Sequence, residues 1–485
     1  MRQRVLKSQS QIDQLIAEQK RVYGLNTGFG ALGEVSVEPS ELERLQRNLI
    51  YHLATGVGAP LSWLEARAVV AARLHVLSKG HSGCDVQVLE YLAAVLNSDL
   101  APAIPRKGTV GASGDLTPSA HMALALMGEG NFVDRHGATV SGADGLAKLG
   151  LDPLPLETRA GLALVNGTSA MTGIATVNAV RCAALLEELL SSAAAYADIM
   201  GARTEAYDPR LQALRGHDGQ IAAAQALREK LAGSERTHDG FIAAADLQND
   251  QQAAFVQDPY TLRCLPQAFG AVMDMLTMHD DIVAREIEAV TDNPVLIDEP
   301  PFALHGGNFY GQHIGFASDA LLAPIISLAV IAERQIARLT DPTFNGELPP
   351  FLQPNDTGMN SGFMGAQVTA SALVAEMRSR AVPASMQSVP TNGNNQDINT
   401  MGTVAARKIS ELLDDAMAVL SIHALAVAQA VDLAQVAGSK GFAPTTLEFV
   451  QRVRSISPRL VEDRPLATDI ARAAAFFDPG QGSDS

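Results

Sequence analysis

Four long stretches, rich in alanine and leucine and almost free of proline, constrain the fold of this chain more than anything else in it. They are Met171 to Met200, Tyr310 to Leu339, Phe363 to Ser379 and Met401 to Val436. Alanine and leucine are strong helix formers. A helix that is apolar on most of its sides has to pack inside a bundle or against another subunit. The first third of the chain reads differently. Short helical patterns over Leu42 to Leu53 and Trp63 to Leu77 alternate with glycine and proline, and Ala101 to Pro118 reads as a structured loop. Asp341 to Gly362, dense in Pro, Asn and Gly, reads as a loop between two of the long stretches. The expected fold is therefore mainly α. A long-helix bundle is expected over residues 167–477, a smaller N-terminal region over 1–166, and a polar, disordered tail over 478–485. There is no internal repeat and no low-complexity linker.

Bulk properties narrow the functional classes. At 485 residues the chain can bury a large core and hold more than one domain. Its net charge of −17 argues for solubility and against a nucleic-acid or anionic-membrane surface. Cys84, Cys182 and Cys264 are far apart and odd in number, with neither metal-ligand spacing nor a disulfide framework. That usage suits a reducing cytoplasm. Arg2, Arg4 and Lys7 lead into polar Ser-Gln-Ser-Gln, so the start lacks the apolar core of a secretion signal. No apolar run reads as long enough for a membrane span.

The chemistry-bearing feature is Ala112-Ser113-Gly114, inside Gly108-Thr109-Val110-Gly111-Ala112-Ser113-Gly114-Asp115-Leu116-Thr117-Pro118. In a tightly squeezed turn the amide nitrogen of Gly114 can attack the carbonyl carbon of Ala112. Glycine permits the approach because it has no Cβ. Loss of two waters, one from the new ring and one from Ser113, leaves a 4-methylidene-imidazol-5-one. That ring is an electrophile, which no ordinary side chain supplies, and it suits chemistry on amines. Taken alone, the triplet reads more simply as an ordinary turn. A serine-hydrolase elbow fails because Asp115 stands where the last glycine of Gly-x-Ser-x-Gly belongs. Gly28-Phe29-Gly30-Ala31-Leu32-Gly33 matches a dinucleotide fingerprint, but Glu34 to Pro39 after it does not read as the required helix.

The segment Gly108 to His121 resembles the cyclising segment of the aromatic amino acid ammonia-lyases, which include histidine, phenylalanine and tyrosine ammonia-lyases and the related aminomutases. Further matching segments are Val22-Tyr23-Gly24-Leu25-Asn26-Thr27-Gly28-Phe29-Gly30, Leu164-Val165-Asn166-Gly167-Thr168, Gln257-Asp258-Pro259-Tyr260-Thr261-Leu262-Arg263-Cys264, Thr291-Asp292-Asn293-Pro294, His305-Gly306-Gly307-Asn308-Phe309 and Asn395-Gln396-Asp397. They follow the family's order and span most of the chain. Two departures stand out. The lead-in before Tyr23 is short, which points to a truncated or misassigned start. Thr117 and Ser119 also replace apolar residues common after the triplet.

The resemblance implies an ammonia-lyase/fumarase-like helical fold, a homotetramer with shared active sites, and the ring formed from Ala112, Ser113 and Gly114 as the only prosthetic group. Tyr23 is the implied base for the β-hydrogen. A phenol acts as a base only after losing its own proton, so a donor or positive charge has to stand beside it. Gly30 lets the backbone of the same loop approach substrate closely. Arg263 is the implied carboxylate clamp, since a guanidinium grips a carboxylate through two parallel hydrogen bonds. Tyr260 lies on the same face if that segment is helical, and assists at the amine or the proton-transfer step. Asn166 contacts substrate or supports the ring, and Phe309 packs near it. Each has a plainer alternative: a Tyr anchoring a turn, a surface salt bridge for Arg263, an Asn-Gly turn at Asn166, core packing for Phe309.

Substrate choice falls on His52-Leu53, with Asn395 and Gln396. Tyrosine-selective members of the family resemble this His-Leu pair. A His can hydrogen-bond a phenolic hydroxyl, and a pocket built for that bond disfavours the analogue lacking it. Histidine-selective members carry Glu before the Asp of the Asn395-Gln396-Asp397 motif, so the neutral Gln396 points away from an imidazole substrate. His305 and His313 suggest a metal, but no third ligand joins them, so none is expected. The reading is a cytoplasmic tyrosine ammonia-lyase. An aminomutase, a phenylalanine or histidine lyase, and a silent helical scaffold are the alternatives.

Overall fold

The computed structural model describes residues 2–157, 159–238, 257–300, 302–346, 348–353, 355 and 358–481. The protein is mainly α-helical, as the composition of its long stretches predicts. The helix Leu42–Leu53 has the predicted bounds, and it buries Leu42, Gln46, Leu49 and Ile50 along one stripe. Trp63–Ser78 starts at a capping box. The Ser62 hydroxyl accepts from the Glu65 N–H at 3.2 Å, and the Ser62 N–H donates to Glu65 Oε2 at 2.8 Å.

Ser169–Ile199 runs for 31 residues and Gly402–Val436 for 35. The second long stretch is two helices, Gln312–Ala320 and Leu322–Thr340. Pro324 accounts for the break, because it has no N–H to give the carbonyl of Ala320 and is tolerated only in the first turn of a new helix. Leu265–Ile287 is a long helix that the composition did not flag.

The loop expected over Ala101 to Pro118 is more ordered than that. Leu100–Pro102 pairs antiparallel with Asn131–Asp134, which pairs with Thr139–Ser141. Pro105–Lys107 pairs antiparallel with Val57–Pro60. Short irregular runs between prolines give little periodicity, so these strands are set by their partners.

Two compact units emerge, and neither is contiguous in sequence. The first comprises Met1–Ala179, His279–Asp319 and Pro383–Ser410; the second comprises Val180–Met278, Ala320–Val382 and Glu411–Ser485. Unit boundaries fall inside helices, among them Ser169–Ile199, Leu265–Ile287 and Gly402–Val436, whereas the sequence-based division was drawn at 166/167. The core of the first unit gathers Ile50, Val69, Val70, Leu77, Leu92, Leu126, Leu164, Met171 and Ala406, all buried. In the second unit the C-terminal segment is anchored at Asp478, which was expected to open the disordered tail. Asp478 is 2% exposed, and its carboxylate accepts from Arg181 Nε at 3.0 Å and Nη2 at 2.7 Å.

By length and composition, Ser169–Ile199, Gln312–Thr340 and Gly402–Val436 are apolar enough to cross a membrane, contrary to the sequence-based expectation. Their most apolar stretches are 72%, 50% and 89% buried inside the protein. The first and last thus serve as core, while the middle pair leaves apolar surface uncovered, including Phe316 at 60% exposure.

Candidate active site

Ala112 and Ser113 form a turn directly before the helix Leu116–Leu126. Two glycines let the main chain close on itself there. Gly114 has φ +70°, and a Cβ on it would lie 2.1 Å from the Gly167 carbonyl oxygen. Gly114 and Gly167 form a parallel bridge, and the Asp115 N–H donates to the Gly167 oxygen at 2.7 Å. Gly167 itself has φ +122°, and a Cβ there would meet the Thr291 carbonyl oxygen at 2.1 Å. Both obstacles are backbone, so no rotamer change relieves them. Gly167→Ala is therefore expected to destabilise the fold by at least about 1–3 kcal/mol, read as a lower denaturant midpoint. An unchanged midpoint would show that the turn is looser than this geometry.

Behind the turn, Asp115 is fully buried. It accepts from the Met171 N–H at 2.7 Å and is bonded by the Thr403 hydroxyl. Burial raises its carboxyl to about 6, with hydrogen bonds from Thr403 and from the Met171 and Ala170 amides opposing the rise. The acid thus ties the start of Ser169–Ile199 to the residue following the triplet, where the helix dipole favours negative charge.

Ser113 faces an open cavity of about 740 Å³. Tyr23, Gly30, Ala112, Asn166, Phe309, Asn395 and Gln396 line it as well. All come from the first unit. Gln396 Nε2 donates to Ser113 Oγ at 3.2 Å, while its Oε1 accepts from Thr391 Oγ1 at 2.8 Å. The orientation of the amide is thereby set, with the NH₂ towards the serine. The Tyr23 hydroxyl oxygen accepts from the Gly30 N–H at 2.8 Å, and the ring meets Phe29 edge-on at 6.4 Å. A donor at the phenol oxygen is what a phenolate needs.

Asn166 is 4% exposed. Its Nδ2 donates to Asp292 Oδ1 at 2.9 Å and to the Asn293 carbonyl at 3.1 Å. Asp292 is fully buried against fully buried Arg159, 3.3 Å away. A buried pair of this kind is costly to break from one side. It holds the segment Thr291-Asp292-Asn293-Pro294, whose place in the site the sequence left unassigned. His305, Asn293 and Tyr310 also line the cavity. Sequence reading considered His305 only as a metal ligand.

Four of the candidate residues lie elsewhere. His52 is exposed, with Nδ1 3.0 Å from the Asn48 carbonyl one helical turn back. Leu53 is half-buried against the first unit's core. Neither lines the cavity. Tyr260 and Arg263 belong to the second unit. Tyr260 is 71% exposed, and the Arg263 guanidinium sits 4.7 Å over its ring. Arg263 also donates to Gln257 Oε1 and lines a cavity of about 1120 Å³ with Arg203, Arg210 and Arg228. Among the described residues no three His, Cys, Asp or Glu side chains gather as a metal site. Among the described residues Cys84, Cys182 and Cys264 form no disulfide, and burial pushes the Cys84 thiol up to about 12.

Comparison with known proteins bears on this arrangement. The profile of the aromatic amino acid lyases matches residues 1–455. A tyrosine ammonia-lyase of Cereibacter sphaeroides is 48% identical over 98% of this chain and 92% of its own. A histidine ammonia-lyase of Anaeromyxobacter sp. is 41% identical over 99% and 93%. Among solved structures, a tyrosine aminomutase from Streptomyces globisporus superposes with a TM-score of 0.91 at 37% identity, covering 98% of this chain and 90% of its own.

Proposed function

The chain belongs to the aromatic amino acid lyase family, and from that premise we propose that it converts L-tyrosine to trans-4-coumarate and ammonia. It is an enzyme of the carbon–nitrogen lyase class. The observation that carries the proposal is the position of Ser113 in a glycine-closed turn, facing the same cavity as Tyr23. The turn fits a self-derived methylidene-imidazolone. Gly114 packs so closely on Gly167 that a Cβ would be excluded, so the third position of the triplet accepts only glycine, the residue whose nitrogen has to close the ring. Such a ring supplies the electrophile that takes up the substrate amine and turns a poor leaving group into a good one.

The residues around it do the rest. Tyr23, with its oxygen held by the Gly30 N–H, is the base for the β-proton. Before cyclisation, Gln396 holds its amide NH₂ on the Ser113 hydroxyl, the group that leaves as water. Asn166, tied to the buried Asp292, holds the residue beside Gly167, which bridges to Gly114 of the turn. Phe309 provides apolar wall. Arg263 is assigned to the substrate carboxylate and Tyr260 to proton transfer. Both lie outside this cavity's lining, which supports a site completed by other copies of the chain in a homotetramer. The exposure of Tyr260 and of Phe316 fits such an assembly. A cytoplasmic location accords with three cysteines outside any disulfide among the described residues. The net charge accords with no nucleic-acid partner. The apolar helices are assigned to core and subunit contacts rather than to a membrane.

Tyrosine is favoured over histidine because Gln396 offers no charge to an imidazolium. It is favoured over phenylalanine on the His52-Leu53 pair and on the 48% identity to a tyrosine ammonia-lyase. The aminomutase reading draws on the structural likeness to a tyrosine aminomutase. Incubation with tyrosine, phenylalanine and histidine separately, scoring both the unsaturated acid and the β-amino acid, tests all of these. Coumarate from tyrosine without β-tyrosine is the expected result, and β-tyrosine as the main product would replace lyase by mutase. His52→Phe is expected to shift the tyrosine-to-phenylalanine ratio of kcat/KM about tenfold or more towards phenylalanine, the worth of one hydrogen bond to the phenol. A ratio that does not move removes His52 as the selector.

A further inference from the structure

His305 was considered in sequence only as half of a metal pair, and the proposed chemistry leaves it unused. It lines the cavity shared by Tyr23 and Ser113. The main-chain N–H of Tyr23 donates to His305 Nε2 at 3.3 Å. The residue after it is anchored in turn. The Gly306 N–H donates to Asn293 Oδ1 at 2.8 Å, and the Asn293 N–H donates to Asp292 Oδ1 at 2.7 Å. Asp292 Oδ1 also accepts from Asn166 Nδ2, the residue before Gly167. Hydrogen bonds and short covalent steps thus link Asn166, next to the Gly167 bridge to Gly114, through buried Asp292 and its partner Arg159 and through Asn293, to the His305-Gly306 segment and the main chain of Tyr23.

We propose that His305 is the positioning residue for Tyr23: its unprotonated Nε2 holds the Tyr23 amide and so sets the base against the Ser113 turn. This rests on the functional reading above. It adds a residue that touches neither the triplet nor, through this contact, the substrate.

Accepting an N–H requires the Nδ1–H tautomer, in which Nε2 is free. Protonation of the ring converts Nε2 into a donor, facing another donor. Burial, and then the charge of Arg159, hold the imidazole below its ordinary value, so the acceptor survives to lower pH than an unperturbed histidine would allow. The other ionisable groups around the cavity are Arg21, Tyr23 and Glu34 on the N-terminal loop, Tyr310 beyond the glycines, and Asp397. As pH falls, the contact is present while the ring is neutral and is lost once it is charged.

The test compares His305→Leu, which removes the acceptor at similar size, with His305→Gln, whose amide oxygen can take the place of Nε2. Steady-state rates with tyrosine, a pH profile, intact mass and deuterium uptake of the peptide covering residues 21–34 are measured on the full-length protein. For His305→Leu, kcat is expected to fall about 10- to 100-fold, with KM changed far less and the two-water mass loss retained. Uptake in residues 21–34 is expected to rise. His305→Gln is expected to recover most of kcat and parental uptake, and to flatten the acid limb of the profile. A His305→Leu protein with parental kcat and uptake overturns the proposal. So does a His305→Gln protein as impaired as the leucine variant, or a leucine variant that fails to lose the two waters, since the effect would then lie in the turn. If the parent itself lacks the two-water loss, the functional reading fails, while the exchange data still decide whether His305 holds the Tyr23 loop.

Discussion

Ser113→Ala is expected to abolish turnover, by at least about 10³-fold, and to return the chain to its full unmodified mass. A loss of that size is about 4 kcal/mol of barrier, a modest share of what an enzyme supplies when a poor leaving group has to be activated. Alanine has no hydroxyl to eliminate, so no methylidene carbon can form. The fold should survive. Ser113 Oγ accepts from Gln396 at 3.2 Å, and the turn is otherwise held through the main chain of Gly114, Asp115 and Gly167. Alanine keeps all of those main-chain contacts. Intact mass, circular dichroism and coumarate release measured together read the three expectations. Substantial turnover in the variant would mean that the electrophile is not made here.

Tyr23→Phe is expected to lower kcat by about 10²- to 10⁴-fold, the usual contribution of a positioned acid–base group, and to retain the two-water mass loss. Phenylalanine preserves the edge-on contact with Phe29 and removes only the oxygen that accepts the Gly30 N–H. That amide is half-exposed, so water can replace the lost partner at small cost. The variant therefore isolates proton abstraction from loop order. Retained kcat would move the role of base to another group, with Tyr260 the first to test.

The two variants also show how unevenly the site could be read. That the triplet and Tyr23 line one cavity agrees with their selection from sequence, which rested on local features: small residues allow close approach, and a phenol in a glycine-rich loop can reach into a cleft. The helix Leu42–Leu53 was legible for a similar reason, since its buried residues fall on one stripe. Leu265–Ile287 carries the same signal in Leu265, Phe269, Val272, Leu276 and Val283, all buried. Its polar residues, exposed at Asp280, Asp281 and Arg285 and buried at His279, diluted the composition and hid it. Pro324 was visible in the second long stretch, yet its effect depends on whether Ala320 needs a donor, which is a question of geometry.

His305 and Asp292 were visible as members of family-like segments but not as parts of one assembly. An imidazole that accepts a main-chain N–H has the same spelling as one that binds a metal. Asp292 could only be recognised as a buried anchor once Arg159, 133 positions earlier, was seen against it. His52 shows the opposite case. Its sequence context singles it out, but within one copy of the chain it faces solvent, and what it meets depends on neighbours that its own helix does not specify.

From its own letters the chain determined its helical character and its family, and singled out the tripeptide proposed to become an electrophile. Each of these depends on interactions between residues a few positions apart, where propensity, periodicity and steric freedom act directly. Tertiary structure alone decided that Gln396 would reach across 283 positions to Ser113, that Gly167 would press on Gly114, and that His305 would hold Tyr23. Contacts between residues so distant in sequence are selected by how whole helices and strands pack, and no local pattern encodes which pair will meet.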